Sequence, residues 1–97
     1  MKLITKEIER KIPALYSTEG SDNQRGVVKF FTPWAGWTWY VIEGERQEDG
    51  DWLFFGLVEG LETEYGYFLL SELAGLRGPG GLKVERDRYY RGEIPKA

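Results

Sequence analysis

The spacing of apolar residues changes several times along this chain, and each change marks a candidate element. Ile4, Ile8, Ile12 and Leu15 recur at intervals of four and then three, with Lys6, Glu7, Glu9, Arg10 and Lys11 between them. This spacing predicts an amphipathic helix of about two turns, capped by Thr5 and ended near Pro13, whose apolar stripe needs a sheet to lie on. Periodicity vanishes over residues 17–26, STEGSDNQRG, so a polar loop follows. VVKFF, residues 27–31, has the β-branched and aromatic character of a short strand. Thr32 to Gly36 form a turn, with Pro33 fixing one φ and Gly36 supplying backbone freedom. Trp37 to Glu43 resume as a strand, sending Trp37, Trp39 and Val41 to one face and Thr38, Tyr40 and Ile42 to the other.

GERQEDGD, residues 44–51, carries an Asp49-Gly50 pair between two strand-like runs, a strong hairpin signal. Residues 51–59, DWLFFGLVE, therefore return antiparallel to their predecessor. Trp52, Phe54 and Val58 alternate with Leu53, Phe55 and Leu57, so both faces are apolar and the strand is expected to be central. Gly60 to Gly66 read as an acidic turn region, and Tyr67 to Leu70 as a short strand. Ser71 fits the N-cap of a brief helix, SELAGL, that ends by Gly78. GPGG at residues 78–81 breaks the chain; Leu82 to Tyr90 are expected to form a last strand and Arg91 to Ala97 to fray. Residues 1–97 are thus expected to be one α+β domain, with an antiparallel sheet of four to five strands, an N-terminal helix and a short late helix.

Composition narrows the chemistry. A chain of 97 residues with 41 % apolar and 15 % aromatic side chains suits one core and is unlike a disordered segment. There is no cysteine and no histidine. Their absence removes disulfides, thiolate nucleophiles, Ser/His and Cys/His pairs and the usual zinc sites. Carboxylate, lysine, tyrosine and serine chemistry is left, which confines an enzyme to a glycosidase-like or Mg²⁺-dependent carboxylate site. No cofactor is implied. The N-terminal residues MKLITKEIERK lack the apolar run of a signal peptide, and no segment approaches the ~20 apolar residues of a membrane span, so a cytoplasmic location is expected.

The net charge of −3 conceals a polarity. Residues 43–64 hold eight acidic side chains against the single basic Arg46, whereas residues 77–97 hold six basic against three acidic. The acidic group is ordinarily a solvated rim of hairpin turns, but Glu45, Glu48, Asp49, Glu62 and Glu64 could instead compete for a partner's Lys/Arg surface. QEDGD lacks the ligand spacing of a Ca²⁺ loop, and GPGG lacks the Gly-Lys-Ser/Thr ending of a phosphate loop. Glu62 and Glu64 would stand ~7 Å apart on an extended segment, within the range of glycosidase pairs.

The densest feature is FFTPWAGWTWY, residues 30–40. Alternation sends Trp37 and Trp39 into cross-strand packing, their ordinary role in a sheet. Trp34 falls in the turn, where it either anchors a partner or folds back over the sheet edge. At the other end, VERDRYYR, residues 84–91, interleaves arginine with tyrosine as a solvated edge strand does, and Arg86 and Asp87 could pair there. Tyr40, Arg86, Arg88, Tyr89 and Tyr90 form an alternative site, suited to stacking bases and holding phosphates.

KFFTPWAGWTWY, FFGLVEG, the Glu-x-Glu-Tyr-Gly-Tyr-Phe piece at residues 62–68, SEL at 71–73 and GPGGLKVERD at 78–87 together resemble the domain of unknown function family 2958. The resemblance runs in order over nearly the whole chain. It implies small bacterial proteins found largely on plasmids and other mobile elements, often near antirestriction genes, with no catalytic residues to carry over. By that association the expected function is a non-catalytic mobile-element accessory. It would bind and inhibit a host-defence protein complex, in the manner of antirestriction or anti-CRISPR proteins, through Trp34, Glu45, Glu48, Asp49, Glu62 and Glu64. The alternative is a single-stranded nucleic-acid-binding module using sheet aromatics and the basic C-terminal segment.

Overall fold

Thr5 caps the first helix, α1 (Lys6–Lys11): its hydroxyl accepts the Ile8 N–H at 3.2 Å, and Ile12 ends the helix in an extended conformation before Pro13. Leu15 lies beyond it, in a turn. The computed structural model describes residues 2–96. Strands β1 (Val28–Phe31), β2 (Thr38–Arg46), β3 (Trp52–Glu59), β4 (Thr63–Leu69) and β5 (Glu85–Arg86) form one antiparallel sheet in the order β4-β3-β2-β1-β5. A second helix, α2 (Leu70–Gly75), follows β4 directly. The expected single α+β domain, with its sheet and two short helices, is the observed one.

Register decides what each face carries, because antiparallel partners point their side chains the same way. Phe30, Trp39 and Val58 are successive partners, as are Val28, Val41 and Gly56 in the next row and Gly44, Phe54 and Phe68 beyond. This face is the core. Phe30 and Phe54 are fully buried, and the Phe54 ring meets Phe30 at 6.3 Å, Phe68 at 5.7 Å and Trp52 at 6.0 Å. Ile8 covers it from α1 and Ile4 and Ile12 from the chain on either side of that helix, with Leu73 from α2. The N-terminal segment crosses the face diagonally. It begins at β5, where Arg86 donates to the Lys2 carbonyl at 2.6 Å, and ends at Gly44, whose N–H donates to the Pro13 carbonyl at 2.9 Å.

The opposite face carries Tyr40, Leu57 and Tyr65 in one row and Glu43, Phe55 and Tyr67 in the next. Here the alternation differs from its simple reading. Val41 pairs with Gly56 but Glu43 pairs with Phe55, so Ile42 is an extra residue in a bulge, and β2 runs on to Arg46 instead of stopping at Glu43. The hairpin turn shrinks accordingly to residues 47–51, with Gly50 at φ +91°.

Other elements shift for equally local reasons. β4 starts at Thr63, because seven consecutive pairings with β3 outweigh the acidic, glycine-containing sequence that read as a turn. β5 keeps only two residues of the expected 82–90 strand, preceded by an isolated Arg77–Lys83 bridge. Ser71 is not the cap of α2. Its N–H and hydroxyl both go to the Asp51 carboxylate, while Glu72 accepts the N–H of Leu69, the residue in the cap position. The Ser71 hydroxyl, more than any other contact, holds the Asp51 carboxyl below its ordinary pKa. Asp87 pairs with Lys29 at 3.8 Å and not with Arg86. The start of the tail expected to fray is tied down: Gly92 accepts the Gly26 N–H at 3.0 Å, and Arg25 donates to the Arg91 carbonyl. Ala97 lies outside the described residues. Among those described, no helix is long and apolar enough to cross a membrane.

Candidate functional site

At the end of the sheet that carries the β1–β2 and β3–β4 turns, a cleft of 390 Å³ opens between the first of these turns and α2. Trp34, Trp37 and Trp39 line it, with Phe68, Leu73 and Leu76 completing an apolar wall. Its architecture follows from two glycines and one threonine. Thr32 is buried and closes the turn: its hydroxyl accepts the Trp37 N–H at 2.9 Å, and its N–H donates to the Trp37 carbonyl at the same distance. A Cβ at Gly78 would overlap the Trp34 indole, and one at Gly60 would overlap that of Trp37. The two rings therefore lie flat against backbone, Trp34 on the GPGG turn and Trp37 on the β3–β4 turn. Trp37 and Trp39 stack at 5.9 Å and 29°.

Trp34 is thus folded back, half-buried and in contact with the core, yet it still forms part of an open wall. Trp37 is half-buried and Trp39 buried, so the division of these three rings between core and turn is less sharp than alternation alone implies. Trp39 and Val58 share their row with Glu64, which stands on the same face two strands away, about 10 Å across the sheet. Glu62 belongs to the turn whose Gly60 supports Trp37, and Glu72 lines the cleft from α2. Arg77 also lines it, but its guanidinium donates to the carbonyls of Ala74 and Leu76 at 2.7 and 2.8 Å, closing the C-terminal end of α2.

The other acidic residues lie elsewhere. Glu45, Glu48 and Asp49 belong to the β2–β3 hairpin, and the length of β2 from Thr38 to Arg46 puts them about 26 Å from the tryptophan end. Of the six residues of the expected partner site, Trp34, Glu62 and Glu64 share one end of the sheet, and the hairpin trio stands at the other. Glu62 and Glu64 are both exposed. Among the described residues no group of three or more His, Cys, Asp or Glu side chains could hold a metal ion.

The alternative site divides too. Tyr40 is only 6 % exposed, and the Tyr90 ring lies 5.8 Å from it. Burial, then the hydrogen bond from its hydroxyl to Glu59, pushes the Tyr40 pKa up to about 12. Tyr90 donates to the Glu93 carbonyl, and burial raises its pKa as well. Arg86 holds the N-terminal segment. Only Arg88 and Tyr89 of the five are exposed, Tyr89 at 84 %.

Sequence reasoning missed Glu43. Counted with the acidic rim, it is in fact 3 % exposed and accepts the N–H groups of Tyr16 and Thr18 at 2.7 and 2.8 Å, together with the Thr18 hydroxyl. Burial opposes its ionisation, but these hydrogen bonds prevail and hold the carboxyl below its ordinary value. Its position between Ile42 and Gly44, inside a strand and not past its end, was the only available signal.

The sequence model of one family, described as Protein of unknown function (DUF2958), matches residues 3–96. No curated protein and no solved structure matches the chain.

Proposed function

The chain belongs to this family of unknown function, and from that premise we propose that it is a non-catalytic binding protein whose tryptophan cleft receives a basic segment of a protein partner. The observation that carries the reading is a cleft lined by three indole rings and Glu72, with Glu62 and Glu64 at the tryptophan end of the sheet beside it. Arginine side chains suit such a surface, because a guanidinium stacks on an indole face and pairs with a carboxylate at once. Exposed acidic groups add steering and specificity more than affinity. The proposed partner class is a nucleic-acid-binding surface of a host-defence complex, met in the cytoplasm and blocked in the manner of antirestriction or anti-CRISPR proteins. Resemblance to mobile-element proteins supports that class by association only.

A titration of indole fluorescence with an arginine-rich peptide, beside its citrulline counterpart, tests the reading. The arginine peptide should perturb the emission in a salt-sensitive way, the citrulline peptide much less, and Trp34→Ala should abolish the response. Equal responses to both peptides would reject it.

A further inference from the structure

A second cleft, of 360 Å³, lies on the opposite face of the sheet, and we propose that it binds an alkylated ammonium headgroup. Tyr16, Phe55, Tyr65 and Tyr67 wall it and Glu43 lies at its floor. Sheet register creates the arrangement: Glu43, Phe55 and Tyr67 are successive partners across β2, β3 and β4, so all three point to the same side. Phe55 fixes its neighbours, with Tyr65 stacked at 6.0 Å and 13° and Tyr67 tilted by 55° at 5.2 Å. Tyr16 reaches over from the loop after α1, where it adopts a left-handed backbone at φ +69°. The neighbouring Tyr16 side chain, followed by burial, raises the Tyr67 pKa.

Charge decides the ligand class. Every hydrogen bond that Glu43 accepts comes from a neutral donor, and it takes part in none of the ion pairs among the described residues. Glu19 adds a second carboxylate, and neither lysine nor arginine lines the cleft. A buried anion with no cationic partner, surrounded by tyrosine rings, attracts a cation both by Coulomb force and through the ring faces. Three donors already occupy most of the roughly four lone-pair sites of the Glu43 carboxylate. A primary ammonium would bring donors with too few acceptors to meet them, whereas an alkylated one brings none or one. The face already shows this chemistry once, with the Lys29 Nζ 5.5 Å from the centre of the Tyr40 ring. The cleft's volume falls at the lower end for small-ligand sites. This inference is independent of the tryptophan cleft.

The test is an NMR titration of the full chain with choline, with its uncharged isostere 3,3-dimethylbutan-1-ol, and with a short peptide containing trimethyllysine. Choline or the peptide should shift resonances of Tyr16, Phe55, Tyr65 and Tyr67, with the uncharged alcohol about tenfold weaker or more. Whichever of the two charged probes binds more tightly tells whether the headgroup is free or carried on a protein. Tyr67 is 53 % exposed, so Tyr67→Ala leaves the core intact and should weaken binding about tenfold, while Tyr67→Phe retains it. Tyr65→Ala provides the same comparison should Tyr67→Ala fail to fold. Equal binding of the alcohol, no shifts with either charged probe, or equal losses in the alanine and phenylalanine variants would overturn the proposal.

Discussion

The two faces of this sheet are built from the same alternation and do different work. On the helix side, Phe30, Phe54 and Phe68 meet ring to ring beneath α1 and α2 in a cluster of apolar side chains. On the other side tyrosines pack around Phe55, and a buried carboxylate binds the backbone of a loop that has no periodicity of its own. Hydrophobic packing can cover a face only with an amphipathic partner, which α1 supplies. A polar, glycine-containing segment such as residues 17–26 has to be held by directed bonds, and Glu43 makes them. Residues 90–92 close the same face by a similar route, through the Gly26–Gly92 bond and the Tyr40–Tyr90 contact.

The sharpest way to break this comparison is to remove one element from each face. Phe54→Ala should cost about 3–5 kcal/mol in chemical denaturation, because a fully buried ring leaves a cavity at the centre of the cluster. A loss below about 1 kcal/mol would mean that the helix side is not the dominant core. On the other face, Glu43→Ala should cost about 1–3 kcal/mol by leaving the Tyr16 and Thr18 N–H groups without their acceptor. Since the folded-state pKa of Glu43 lies below its ordinary value of 4.5, its contribution is present above that value and is lost as pH falls through the folded one. Thermal melts between neutral and acid pH should show this loss in the parent and a flatter profile in Glu43→Gln.

Two further effects sharpen the picture. Gly78→Ala forces the Trp34 indole off the GPGG turn and should cost about 1–3 kcal/mol, with a red-shifted tryptophan emission that Gly80→Ala does not reproduce. The Lys29–Asp87 pair is partly solvated, so Asp87→Asn should change the melting midpoint least, by an amount equivalent to no more than about 1 kcal/mol.

Much of this was legible in the chain. Thr5, the Ile4-Ile8-Ile12 stripe, VVKFF and the two-sided apolar run of residues 52–59 signal their elements by local pattern, and the structure keeps them. What was not legible depends on partners distant in sequence. The bulge at Ile42 moves Glu43 from the expected solvated rim to a buried position, and nothing within residues 37–46 specifies the bulge. β4 is held by register with β3, not by its own composition. Ser71 looks like a cap until Asp51, twenty positions earlier, takes its hydroxyl. In the candidate site, the exposure of Trp34 could not be read because it rests on Gly78, a residue distant in sequence. Neither could the separation of the acidic residues between two ends, which required the strand order.

That separation gives the most direct test of the central claim, that the tryptophan end and not the acidic hairpin receives a basic partner. Two charge-reversal variants are compared for binding of the arginine-rich peptide: Glu62→Lys with Glu64→Lys, and Glu45→Lys with Glu48→Lys. They change net charge equally. The first should weaken binding about tenfold or more, and the second by less than about twofold, because it lies beyond the reach of screened electrostatics at physiological salt. Equal losses in the two variants, or a loss confined to the hairpin pair, would contradict the account.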